Sequence, residues 1–274
     1  MPIRAVLFAM DGTLFDHLAT VRSLAAEQVV NLKGLVPAEL RQPYLDRMIA
    51  LESLGHLDRL TVYRQLVREF GLDAGHRRLH PRRLANEFER RYLAHAQARP
   101  DALPTLRALK SHGLRLGIVC NARVSTLVAK IDAIGLRPWL DDMLASEEAG
   151  VRKPDPAIFR QALVRLGVRP GEALHVGGHP QMDVEAARAA GLQVAWLRRE
   201  GASAPEAVAV IDELSGVVGA VRAGAGLESL VAYLAAAADD AVCVEQSVNS
   251  GSAGDGHAGI SVSAVVQKGL GRSK

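Results

Sequence analysis

Four short stretches carry the side chains that could do chemistry: "AMDGT" at 9–13, "CN" at 120–121, "VRKPDP" at 151–156 and "GGHPQMD" at 177–183. They offer two carboxylates, Asp11 and Asp183, with one lysine, Lys153, one thiol, Cys120, and one amide, Asn121. Such a set suits an oxyanion, because Lys153, Asn121 and the N–H groups of the turn at Gly12 and Thr13 can donate to phosphate-type oxygens. "DG" is also a plain turn signal, so Asp11 reads either as a turn former or as a proton donor and acceptor. Cys120 attacks as a nucleophile where a nearby cation lowers its pKa; otherwise it is a small inert filler. Ala9 closes the first apolar run, where a reactive group would be sought, and its methyl can neither attack nor ligate. Asp183 has three open uses: to contact a ligand, to anchor Lys153, or to cap the helix that begins "DVEAARAAG". His175 alternates with apolar residues and reads as a satisfied inner position, whereas His179 stands where it can face a cleft.

The elements that must position these residues follow from hydrophobic periodicity. Apolar runs of strand length occur at 3–8, 114–120, 172–178, 192–197 and 207–212. Helical patterns at 103–113, 156–167 and 183–191 each end near a glycine suited to a C-cap. Strands alternating with helices predict an α/β fold, a Rossmann-like parallel sheet core with helices on both faces. Ligands of such sheets bind beyond the carboxyl ends of the strands. "AMDGT", "CN" and "GGHPQMD" each follow a predicted strand, and "VRKPDP" follows a helix and loop.

Between about Asp16 and Arg99 the pattern is helical alone, which predicts an α-helical insertion after the first strand. "GLESLVAYLAAAA" predicts one last helix, and the Ser-, Gly- and Asn-rich stretch "SVNSGSAGDGHAG" a flexible tail. The expected organisation is therefore a core from 1–16 and 100–222, an inserted cap over 17–99, and a C-terminal helix and tail over 223–274.

Composition narrows the partners. With 33 Lys+Arg against 30 Asp+Glu the formal charge is +3, too small an excess to imply nucleic acid. The segment "HRRLHPRRLANEFERR" at 76–91 is locally basic, as a solvated helix face or as an attractor of anionic substrates. Two cysteines in 274 residues give no disulfide framework, and no stretch approaches the ~20 apolar residues of a membrane span. A cytoplasmic, non-membrane protein is expected. Aromatics are 4% of the chain, so the core must rest on Ala, Val and Leu.

The order of the motifs resembles the haloacid dehalogenase (HAD) superfamily, specifically its phosphatase-like subfamily with a helical cap inserted after the first strand. The resemblance runs over about residues 2–222 and includes "FDH", "ASEEAGVRKPDPAIF" and "HVGGHPQMDVEAARAAG". It implies phosphomonoester hydrolysis through an aspartyl-phosphate, with a second carboxylate two residues on acting as acid and base, and with Mg²⁺ and a lysine neutralising charge. By position, the nucleophile falls on Ala9, the acid/base on Asp11 and the phosphate-binding hydroxyl on Cys120, followed by Asn121. The phosphate-binding lysine falls on Lys153, the first metal-binding aspartate on Gly178 and the second acid on Asp183. Met182 stands where the family commonly has Asn.

The nucleophile and one metal ligand are thus replaced, so the resemblance implies a scaffold whose hydrolysis is lost or severely impaired. Mg²⁺, the expected cofactor, would keep mainly a backbone carbonyl near Asp11 and a distant Asp183, too little for a cation that prefers carboxylates in an octahedral shell. Two alternatives stand beside that reading. One is a metal-independent module for a small phosphorylated molecule or another anion; the other is an active hydrolase using water activated by Asp11, or Cys120.

Overall fold

The sequence "AVLF" buries side chains on both faces, and it forms β1 (Ala5–Phe8) at the centre of the sheet. The computed structural model describes residues 2–32, 36–53, 57–73, 79–198 and 209–223. Among these the strands are β1, β2 (Arg115–Cys120), β3 (Asp142–Ala145), β4 (Ala173–Gly177), β5 (Gln193–Leu197) and β6 (Ala209–Ile211). They form one sheet in the order β3-β2-β1-β4-β5-β6, and every pairing is parallel. This is an α/β, Rossmann-like core. From β1 the chain builds outward through β2 to β3 and then crosses to β4, so the order reverses at β1, where such sheets bind ligands.

Alternation along β1 divides the core. Val6 and Phe8 join an apolar cluster with Leu106 and Leu109 of α5 (Ala102–Ser111) and Leu127 and Ile131 of α6 (Val124–Ala133). Ala5 and Leu7 face the other way, onto Ile158, Phe159 and Leu163 of α8 (Ala157–Leu166). Two one-turn helices, α7 (Ser146–Ala149) and α9 (Ala186–Ala189), and α10 (Gly216–Ala223) complete the described core.

Two local expectations change. The edge strand β3 has no long apolar run to announce it; "DMLA" buries only its last two residues. The helix expected over 183–191 is instead a π-helical turn, Pro180–Glu185, followed by α9, and the wide turn carries Asp183 back against Gly177.

After β1 the chain enters α1 (His17–Asn31), α2 (Ala38–Ser53), α3 (Arg59–Glu69), α4 (Pro81–Arg91) and a 3₁₀ turn, Tyr92–His95. Their apolar stripes meet in a third cluster drawn from residues 21–88, including Val21, Tyr44, Leu66 and Phe88. The two connections to the sheet run side by side: Asp16 N–H donates to Gln97 O (2.8 Å) and Arg99 N–H to Leu14 O (2.9 Å). Asp16 also caps α1, its Oδ1 accepting from Ala19 N–H at 2.9 Å.

The described residues fall within one compact unit, Met1–Val231. Apart from Ala223, the helix and tail expected over 223–274 lie outside them, as do residues 76–78 of the basic segment. No helix among the described residues is long and apolar enough to cross a membrane.

Candidate functional site

The parallel sheet brings the ends of β1, β2 and β4 side by side, and with them the sequence's chemical stretches. Ala9 continues β1: its N–H donates to Val176 O (2.8 Å) and its methyl is buried. The chain then turns over Met10–Phe15, with Gly12 at φ +73°, a conformation costly for any residue with a Cβ. Gly12 N–H donates to Phe15 O, and the N–H groups of Thr13, Leu14 and Phe15 all donate to Met10 O. The turn's donors at 12–15 are therefore used within the turn, contrary to the expectation that they would serve a ligand. Thr13 is fully buried, so its hydroxyl does not reach an incoming ligand either.

Asp11 projects from this turn with its side chain 49% exposed, and its Oδ1 accepts from Lys130 Nζ at 2.6 Å. Lys130 comes from α6 and is only 16% exposed. Its ammonium lies over the ring of Phe15, 5.0 Å from the centroid, and 5.9 Å from that of Tyr92. Tyr92 is braced in turn, sharing a 2.6 Å hydrogen bond with His17 Nδ1. Sequence reasoning missed Lys130, because a lone lysine on a helix reads as a solvated residue until the helix is docked.

At the end of β2, Asn121 uses both ends of its amide on one residue. Its Nδ2 donates to Lys153 O (2.9 Å), and its Oδ1 accepts from Lys153 N–H (2.8 Å). Asn121 thus holds the "VRKPDP" loop rather than presenting its amide to a ligand. Lys153 itself is buried and donates from Nζ to Asp183 Oδ1 at 2.6 Å. Asp183 Oδ2 accepts from His179 N–H (2.9 Å), and Nε2 of the fully buried His175 lies 3.5 Å from Asp183 Oδ1.

Asp183 packs so tightly that a Cβ on Gly177 would lie 2.5 Å from its Cγ, which explains the first glycine of "GG". Gly178 O accepts from Trp196 Nε1 at 3.1 Å. His179 caps its own turn, its Nδ1 accepting from Met182 N–H at 3.2 Å. His175 is an inner position as expected, fully buried with Asp183 Oδ1 as the polar atom 3.5 Å from its Nε2.

The electrostatics follow from burial and pairing. Burial pushes the Asp183 carboxyl upward, but the His175 ring and the Lys153 ammonium outweigh it and hold the group well below the usual carboxylate range. Burial drives His175 the other way, toward the neutral ring. The Cys120 thiol is pushed up to about 11, first by burial and then by Asp11, against the smaller pull of Lys153 and Lys130.

A divalent cation does not fit this set. Ala9 and Gly178 bring no carboxylate, Asp183 is buried against Lys153, and the described residues contain no group of three or more His, Cys, Asp or Glu placed to hold a metal. The ends of β1, β2 and β4 thus bring together two ammonium groups, two carboxylates and the buried free thiol of Cys120.

The family model described as haloacid dehalogenase-like hydrolase matches residues 3–191. The chain belongs to this family. Among its HAD-like relatives, a glyceraldehyde 3-phosphate phosphatase of Methanopyrus kandleri is 32% identical over 213 residues, 72% of this chain and 84% of that protein. A phosphoglycolate phosphatase of Rhodospirillum rubrum is 31% identical over 233 residues, 77% of this chain and 88% of that protein. In structure, a HAD phosphatase from Thermococcus onnurineus matches with a TM-score of 0.53 and 28% identity, over 78% of this chain and 96% of that one. The matched span 3–191 takes in β1 to β4 and the helices that follow β1.

Proposed function

We propose that this HAD-like phosphatase scaffold no longer performs phosphoryl transfer. The observation that carries the reading is Ala9: at the end of the central strand, where the resemblance places the nucleophile, there is a buried methyl. Loss of a catalytic nucleophile costs on the order of 10⁴–10⁶ in turnover, and further losses in the same mechanism add little. Gly178 supplies no carboxylate, and Asp11 and Asp183 are engaged by Lys130 and Lys153, so Mg²⁺ is not retained. Asp11 keeps the acid/base position and Lys153 the phosphate-binding position, with no partner chemistry between them. The segment 17–99, which has its own apolar cluster, is the cap over a core of 1–16 and 100–222.

Nothing favours Cys120 as a replacement nucleophile. A thiol at about 11 is ionised in only about one molecule in 10⁴ at pH 7. The alternative of anion binding without metal is favoured by one specific observation, the Lys130–Asp11 pair, which brings a second ammonium to the mouth.

The test is hydrolysis of an aryl phosphate with Mg²⁺ by the unaltered chain beside an Ala9→Asp, Cys120→Thr, Gly178→Asp variant. Turnover by the variant alone is the expected result. Comparable turnover by the unaltered chain would overturn the reading.

A further inference from the structure

We propose that Lys130 is a built-in counter-cation that, with Lys153, makes the mouth of this fold a metal-independent site for a phosphate-monoester-type oxyanion. The proposal rests on the reading that Ala9 and Gly178 have removed turnover and the metal; it adds the ligand class and the residue that replaces the metal's charge.

Three observations lead there. First, the side chains able to repel a dianion have been reduced. Asp11 and Asp183 remain and are matched one for one by Lys130 and Lys153, leaving the mouth formally neutral before a ligand arrives. Asp11 follows β1, and Asn121, which clamps the Lys153 backbone, follows the neighbouring strand β2, so the two ion pairs stand at adjacent strand ends. Second, several neutral donors are committed. The N–H groups of residues 12–15 bond within their turn and Asn121 clamps the Lys153 backbone, which leaves Lys130 and Lys153 as the charged donors beside them.

Third, the two lysines are held differently. Lys153 and Asp183 are both buried, with side chains 7% and 6% exposed, and that pair is fixed. Lys130 bonds to a carboxylate that is half in water, and exposed ion pairs are weak enough to exchange partners. Asp11 Oδ1 takes one of its three N–H donors. The faces of Phe15 and Tyr92 attract the ammonium without consuming another. An entering oxyanion can therefore take the Lys130 donors while Asp11 turns to solvent, with Lys130 already in place.

The experiment is calorimetric titration of the full chain with orthophosphate and, separately, phenyl phosphate, each in EDTA and in Mg²⁺. Expected is binding in EDTA that Mg²⁺ does not strengthen. Lys130→Met should weaken it about tenfold or more, the scale of a charge-assisted hydrogen bond, and Lys130→Arg should largely preserve it. Asp11→Asn should tighten it, since a repelling charge is removed; loss of a metal ligand would weaken it instead. The two probes separate a free-phosphate site from a monoester site: phenyl phosphate binding at least as tightly as orthophosphate supports the proposal, and orthophosphate binding alone overturns the monoester assignment.

No binding in EDTA by chain that retains its thermal transition overturns this proposal and leaves the loss of turnover standing. Binding that requires Mg²⁺ overturns both. Unchanged affinity in Lys130→Met removes Lys130 from the site. Hydrolysis of phenyl phosphate during the titration would overturn the reading on which the proposal rests.

Discussion

Lys153 and Asp183 form the one fully buried ion pair of the mouth, and their fates are tied. Removing one partner leaves the other charged and desolvated, a cost of about 3–5 kcal/mol. Lys153→Met is therefore expected to lower unfolding stability by that order, read as a fall in the urea midpoint with an unchanged slope. The pH dependence has a definite sign. Because the folded state holds Asp183 below its ordinary value of 3.8, the unfolded chain takes up a proton first as pH falls. The stability Asp183 contributes is complete above about pH 5 and is lost progressively as the pH falls through 3.8 and on into the most acidic range, where the folded state itself takes up the proton. The gap in stability between the unaltered chain and Asp183→Asn should narrow over that range; a gap independent of pH would show that the carboxylate is not held as described.

At the scale of elements, the π-helical turn after β4 and the glycine before it act as one unit. The turn returns Asp183 over Gly177, where a Cβ would lie 2.5 Å from the carboxylate carbon. Gly177→Ala must displace Asp183 or bend β4, and overpacking of this kind costs about 1–3 kcal/mol. A drop of that size in thermal or urea unfolding is expected, with the acid-range pH dependence of Asp183 flattened at the same time. A simple cavity-filling alanine would raise stability instead. Asn121 does comparable work between β2 and the Lys153 loop, fixing a loop by two hydrogen bonds to its backbone.

Across the whole molecule, the paired linkers at 14–16 and 97–99 fasten the inserted helices to the sheet beside the mouth, and Tyr92 from the insertion reaches Lys130 from the core. The insertion thus helps to place a charge in the mouth as well as flank it. A ligand that binds the folded state raises its unfolding temperature by mass action. Millimolar Mg²⁺ should therefore leave the transition of the unaltered chain within about 1 °C of its value in EDTA. The Ala9→Asp, Gly178→Asp variant, with two carboxylates returned, should gain a metal-dependent rise. A comparable rise in the unaltered chain would return a metal to the site.

Local patterning determined much about this protein. Alternating strand and helix periods specified the parallel α/β sheet, and the purely helical stretch after β1 marked the insertion, because both periods are properties of neighbouring residues. That Ala9 and Gly178 carry no carboxylate where the resemblance implies one was likewise legible, since an absent side chain needs no coordinates. The tertiary structure decided the partners. Asp11 was readable as a carboxylate in a turn, but its bond to Lys130 joins residues 119 apart in the chain. Asn121, a donor by type, was turned by the sheet onto the Lys153 backbone, and the short edge strand β3 acquired its identity by pairing with β2. Residue type sets what a group can donate, accept or titrate; packing decides which neighbour receives it and how much water remains.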